Sequence, residues 1–152
     1  MGAGIAQVAA QHGWQVHLQD VSDDVVHDAI AGIRTRYARL VEKGRLSSEQ
    51  AEAAGARLQT VGDALPECDL VIEAIVEDLD VKVAVLGDIV SQLGPDAIVA
   101  TNTSSLSVSE LCERLGVAER CCGMHFFNPA PIMKLVEVVR GRATSEAVLD
   151  RV

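Results

Sequence analysis

The chain has 152 residues, 49% of them apolar and 3% aromatic, and a formal net charge of −9. That length can bury a core of aliphatic side chains, and the apolar content excludes a disordered chain. The acidic balance argues against a nucleic-acid partner, whose phosphates need a basic surface, and no apolar run approaches the roughly 18 residues needed to cross a membrane.

Residues 3–12 predict a helix with Ile5, Val8 and Ala9 on one face, stopped by Gly13. In "WQVHLQD", Trp14, Val16 and Leu18 alternate as in a short strand. Ser22 can cap a helix running to about Lys43, with Val25, Ala29, Ile33, Tyr37 and Leu40 at helical spacing and Gly44 at its end. Ser47 and Gln50 form a capping box that opens a further helix to about Leu58, so the two make a helical hairpin. "CDLVIEAIV" reads as a strand covered on both faces. A helix over Asp80–Leu93 follows, then the strand "AIVATN", and a short helix that opens on a Ser107–Glu110 capping box and closes at Gly116. "RCCGMHFF" and "KLVEVVRG" are two more strands around the Pro129 and Pro131 turn, and a last helix begins near residue 145. Alternating strands and helices predict an α/β fold with one parallel, doubly wound sheet.

Cys68, Cys112, Cys121 and Cys122 have no C-x-x-C spacing, which suits reduced thiols in the core of a cytoplasmic protein. The N-terminus lacks the pattern of a signal peptide. His12, His17, His27 and His125 lack metal-ligand spacing, so no metal is expected.

The chain opens on "MGAGIAQVAA". Gly2 leads into a helix, and the strand after it ends at Asp20. In a dinucleotide fold a glycine at this point lets the helix pack close on the sheet, with its N-terminus facing the pyrophosphate, and an acidic residue about twenty positions on binds the ribose. The same residues also suit an ordinary helix start and a solvated turn. If Asp20 does bind ribose it selects NAD over NADP: a 2′-phosphate about 4 Å from a carboxylate costs on the order of 4 kcal/mol at an effective dielectric near 20.

Ser104 follows the strand "AIVATN", at the sheet edge where ligands of open α/β sheets bind. Because Ser107 caps the next helix, the Ser104 hydroxyl is available for a substrate or for a local turn. His125 ends a strand beside both phenylalanines of the chain. Glu137 shares a strand face with Leu135 and Val139, where a carboxylate is costly without a partner, and the intervening turn lets it approach His125. A paired carboxylate orients an imidazole and raises its basicity, which suits proton removal from an alcohol as hydride leaves the same carbon. A Ser-His-Glu hydrolase needs its serine on a G-x-S-x-G elbow, and "TNTSSLS" has no glycine. Arg34, Arg36, Arg39, Lys43 and Arg45 lie within twelve positions, so the hairpin carries either a site for an anionic ligand or a solvated helix face.

Taken together, "MGAGIAQVAA", "ARLVEKGRL", "DLVIEAIVEDLDVK", "TNTSSL" and "HFFNPAPIMKLVEVV" resemble the N-terminal domain of L-3-hydroxyacyl-CoA dehydrogenases, including the 3-hydroxybutyryl-CoA dehydrogenases, over nearly the whole chain. The resemblance implies a Rossmann-like NAD-binding domain over residues 1–152, with a helical hairpin insertion. In that family the first motif is usually G-x-G-T-M-G-A-G-I-A, which implies that a first strand and two glycines belong before Met1. The implied reaction is NAD-dependent oxidation of (S)-3-hydroxyacyl-CoA to 3-ketoacyl-CoA, or its reverse. Residue by residue, it implies His125 as catalytic base, Glu137 as its carboxylate partner, and Ser104 as the substrate-hydroxyl partner that also touches cofactor. Asn128 would lie near nicotinamide and substrate; Gly2, Asp20, Glu77 and Lys82 would contact NAD, and Lys43 would contact CoA. At Arg36 some relatives carry a CoA-binding serine, and an arginine there could bind phosphate instead. The family's C-terminal helical domain, which builds a homodimer and closes over the acyl chain, lies outside the sequence, so the chain by itself is expected to be inactive. A sister dehydrogenase of a free hydroxy acid, or an inert or binding-only fragment of such an enzyme, are the alternatives.

Overall fold

The computed structural model describes residues 1–62 and 65–152 and divides them into two compact units. The first comprises residues 1–66 together with 129–132. It opens with helix α1 (Gly2–Gln11), strand β1 (Val16–Leu18) and helix α2 (Asp23–Glu42). Helix α3 (Ser48–Ala56) and strand β2 (Leu58–Thr60) complete it. Ser22 caps α2 by accepting from the Val25 N–H, and Ser47 and Gln50 close the predicted capping box on α3. Gly13 and Gly44 stop α1 and α2 at φ +102° and +65°, a region that side chains other than glycine rarely enter.

The periodicity of two helices is shifted from the sequence reading. On α2 the buried residues are Val26, Ile30, Ile33 and Tyr37, whereas Val25 is exposed. On α1, Ile5, Ala6 and Ala10 are buried, and Val8 is only half-buried. Apart from Ile5, the buried side chains of both helices meet Ala54 and Leu58 in one aliphatic cluster. The Tyr37 hydroxyl donates to the Gln7 carbonyl at 2.6 Å, which satisfies the polar end of a buried ring. The third predicted helix also ends early, at Ala56. Leu58 begins a strand instead, pairing in parallel with β1 through Val16↔Leu58 and Leu18↔Thr60. A single leucine in three residues is too weak a strand signal to outweigh the preceding helical pattern; the partner strand decides.

The second unit comprises residues 67–128 and 133–152. Its elements are β3 (Leu70–Glu73), α4 (Leu79–Val90), β4 (Ile98–Thr101), α5 (Val108–Arg114), β5 (Cys121–Phe126), β6 (Val136–Val139) and α6 (Glu146–Leu149). The strand order is β3-β4-β5-β6, parallel up to β5 and antiparallel between β5 and β6. The described strands thus form two ladders, β1-β2 and β3 to β6, where the sequence pattern suggested one continuous parallel sheet. Both faces of β4 are covered, which explains its unbroken apolar run. Val99 and Cys121 pack with Leu86, Val108 and Leu111 on one face, while Ile98, Ala100 and Cys122 pack with Val148 on the other. Ser107 caps α5 by accepting from the Glu110 N–H.

The cysteines depart from the expectation of reduced thiols. Cys112 on α5 and Cys121 at the start of β5 form a disulfide with a Cα–Cα distance of 5.7 Å; Cys68 and Cys122 are free. Spacing of nine residues carried no such signal. The pairing follows from the packing of α5 onto β5, which stacks the two side chains in one apolar cluster.

Candidate active site

At the open edge of the second unit, β5 and β6 place His125 opposite Glu137 on one antiparallel rung. The imidazole Nδ1 lies 2.8 Å from Glu137 Oε2. Side chains directly opposite in an antiparallel pair are natural partners. With Glu137 accepting a hydrogen bond from Nδ1–H, Nε2 is left as the acceptor. The face argument used on the sequence does not hold: Leu135 and Val139 are exposed, and the Glu137 side chain is 52% exposed. Register, not burial, brings the carboxylate to the histidine. Phe127 stands beside the imidazole, with ring centroids 4.8 Å apart.

Ser104 lies past the end of β4, in the segment that leads to α5. It is exposed but not free, since its hydroxyl and N–H both reach Glu77 Oε1, at 3.4 and 3.0 Å. The same oxygen accepts from the Thr103 hydroxyl at 2.5 Å and the Ser105 N–H at 3.2 Å. Burial of the Glu77 carboxylate acts to raise its pKa. The Thr103 hydroxyl, the Ser104 N–H and the Lys82 ammonium outweigh it and hold the group at about 2.

Lys82 is not an open ligand contact in this structure. It is 1% exposed, and its Nζ lies 2.6 Å from Glu73 Oε1 and 3.2 Å from Glu77 Oε2. Glu73 was not singled out from the sequence. Its signal was there: the one charge inside "LVIEAIV", where a carboxylate needs a partner as argued for Glu137. Asn102 was also missed. Its Oδ1 accepts from the N–H of Phe126 at 2.8 Å, tying the end of β4 to the residue after His125. Asn128 is exposed just beyond β5.

The first unit carries the other predicted positions. Helix α1 begins at Gly2 with no acidic residue in its first turn and no side chain capping it, so its leading N–H groups remain open to an anion. A Cβ on Gly4 would stand 3.3 Å from both Ala130 and Pro131, so glycine permits a close approach there. Asp20, two residues past β1, is exposed and, among the described residues, accepts only from its neighbour's N–H, Val21, at 2.7 Å. An uncapped helix start and an exposed carboxylate past the strand that follows it fit a dinucleotide. Of the basic cluster, Arg36 donates to Gln7 Oε1 at 2.6 Å, tying α2 to α1, and Arg34 donates to the Gly55 carbonyl at 3.3 Å, bracing the hairpin. Arg39, Lys43 and Arg45 are exposed. Among the described residues, no group of three or more His, Cys, Asp or Glu is placed to hold a metal ion, and no helix is long and apolar enough to cross a membrane.

The family model described as "3-hydroxyacyl-CoA dehydrogenase, NAD binding domain" matches residues 1–152. A 3-hydroxyadipyl-CoA dehydrogenase of Escherichia coli K12 is 46% identical over 99% of this chain and 32% of its own. A 3-hydroxybutyryl-CoA dehydrogenase of Bradyrhizobium diazoefficiens is 42% identical over 99% of this chain and 52% of its own. The crystal structure of an (S)-3-hydroxybutyryl-CoA dehydrogenase from Ralstonia eutropha superposes with a TM-score of 0.92 at 38% identity, covering 99% of this chain and 54% of that one. The chain therefore spans about a third to a half of the length of these relatives. Its fold is the Rossmann-like α/β fold of that group, and the chain belongs to the family of 3-hydroxyacyl-CoA dehydrogenase NAD-binding domains.

Proposed function

We propose that the protein carrying this domain oxidises (S)-3-hydroxyacyl-CoA to 3-ketoacyl-CoA with NAD, or runs the reverse reaction, in fatty acid or related acyl-CoA metabolism. The observation that carries the reading is the 2.8 Å bond between His125 and Glu137. His125 Nε2 takes the proton of the 3-hydroxyl, and Glu137 stabilises the imidazolium that results. NAD, when bound, accepts the hydride from the same carbon. Ser104 turns its hydroxyl from Glu77 Oε1, 3.4 Å away, to donate to the substrate oxygen, and Asn128 lines the reacting end. Gly2 and the start of α1 take the pyrophosphate, and Asp20 takes the adenosine ribose. Glu77 and Lys82 contribute on the cofactor side through the Ser104 segment. Lys43, with Arg36 nearby on α2, meets the phosphates of CoA; since Arg36 is already bonded to Gln7, Lys43 is the stronger candidate. The exposed cations of the hairpin favour a CoA thioester over a free hydroxy acid. The acyl groups in the relatives' names differ, adipyl in one and butyryl in another, so acyl length is left open. We place the protein in the cytoplasm, where its Cys112–Cys121 bond is an exception to the reduced thiols usual there, and as a homodimer built through a C-terminal helical domain.

The test is turnover by the full-length protein. Acetoacetyl-CoA with NADH should give oxidised cofactor, NADPH should serve poorly, and free acetoacetate should be a poor substrate. A preference for NADPH, or equal turnover of acid and thioester, overturns the proposal.

A further inference from the structure

In the second unit, Lys82 bridges two carboxylates, each of which uses its other oxygen to hold a single segment of chain. Glu73 Oε1 meets Lys82 at 2.6 Å, and Glu73 Oε2 accepts from the Thr101 hydroxyl at 2.7 Å. Glu77 Oε2 meets Lys82 at 3.2 Å, and Glu77 Oε1 collects Thr103, Ser104 and Ser105. Residues 101–105 are therefore pinned at one end by Glu73 and at the other by Glu77, with a single buried ammonium setting the distance between the two anchors. Glu73 also accepts from the Ile75 N–H at 2.7 Å, which fixes the start of the loop that carries Glu77.

We propose that Glu73 is a positioning residue for Ser104, acting through Lys82 and Glu77 and touching neither substrate nor cofactor. This rests on the dehydrogenase reading above. A buried ion pair is a poor source of net stability, because desolvation offsets the attraction, so its geometry carries more of the argument than its strength. Neutralising Glu73 leaves Lys82 with Glu77 alone. The ammonium then draws toward Glu77 and the exposed side of the unit, and Glu77 loosens its hold on the N–H groups of residues 104 and 105. A displacement of about 1 Å in a substrate-positioning group can cost about a hundredfold in rate.

The experiment compares Glu73→Gln with Leu111→Ala in the full-length protein. Leu111 is buried in the aliphatic cluster of the same unit and has no part in the site, so its truncation controls for lost stability. Acetoacetyl-CoA reduction gives kcat and KM, and amide hydrogen exchange is read at Ser104 and Ser105. Glu73→Gln should lower kcat by about ten- to a hundredfold, leave KM within a factor of a few, and speed exchange at Ser104 and Ser105 selectively. Leu111→Ala should lower thermal stability with kcat near wild type. Equal loss of kcat in both variants, or retained kcat in Glu73→Gln, overturns the proposal. If Glu73→Gln does not fold, Glu73→Asp keeps the charge but shortens the reach to Lys82 and Thr101; wild-type kcat and exchange in that variant also overturn it. Should the wild type fail to turn over, the dehydrogenase reading falls, while the exchange data still decide whether Glu73 sets the Ser104 segment.

Discussion

His125 and Glu137 face each other across the rung that joins β5 to β6, with Nδ1 and Oε2 2.8 Å apart. If this pair removes the substrate proton, His125→Gln in the full-length protein should lower kcat by about 10²–10⁴, the usual loss for a positioned acid–base group. NADH affinity should hardly change. Glu137→Gln keeps an acceptor in place but removes the charge, so kcat should fall by less. Steady-state kinetics with acetoacetyl-CoA and a fluorescence titration of NADH decide it; activity within a factor of a few in His125→Gln refutes the assignment.

Glu77 should leave a signature in acid. Its carboxyl is held at about 2 in the folded chain against an ordinary value of 4.5. A depressed folded pKa stabilises the fold above the unfolded value, and this stabilisation is lost as pH falls through the folded one. The gap in Tm between wild type and Glu77→Gln should therefore be full at pH 6 and shrink from about pH 4.5 towards pH 2. A gap that stays constant over that window contradicts the bonding described for Glu77.

Gly123 should resist any side chain. An added Cβ would stand 2.8 Å from Val139 Cβ and 3.1 Å from Val108 Cγ2, so β6 or α5 must move. Gly123→Ala should destabilise by about 1–3 kcal/mol through overpacking. Urea unfolding measures it, and an unchanged midpoint means that β6 yields at no cost.

The cysteine arrangement can be counted. In denaturant without reductant, two thiols should react, those of Cys68 and Cys122, and after reduction all four. In the folded protein Cys122 should react more slowly than Cys68, being fully buried. Four reactive thiols before reduction would restore the expectation drawn from spacing.

Lys43 should act on the CoA end of the substrate. Lys43→Glu should raise KM for acetoacetyl-CoA and barely affect the N-acetylcysteamine thioester, which lacks the nucleotide phosphates. Part of the effect should fade with added salt, because the residue is exposed. Equal effects on both thioesters point to a structural role for the hairpin.

Local signals in the sequence carried most of the elements and the pairing of His125 with Glu137. Caps at Ser22, Ser47 and Ser107, stops at Gly13 and Gly44, and apolar runs in β3 to β5 are short-range features, and they place helices and strands within a few residues. The turn at Pro129 and Pro131 returns the chain, so the approach of Glu137 to His125 was also legible. What neighbours in space decide was not. Strand β2 exists because β1 pairs with it from more than forty positions away, and the Cys112–Cys121 bond exists because α5 lies on β5. The reason offered for Glu137 failed although its partner was correct, since exposure depends on what packs over a strand and not on its alternation. Lys82 shows the division most clearly. Its sequence context matches a cofactor contact, whereas the folded chain buries its ammonium between Glu73 and Glu77. A charge taken out of water must find its counter-charges, and only the packing of α4 against the ends of β3 and β4 determines which carboxylates are within reach.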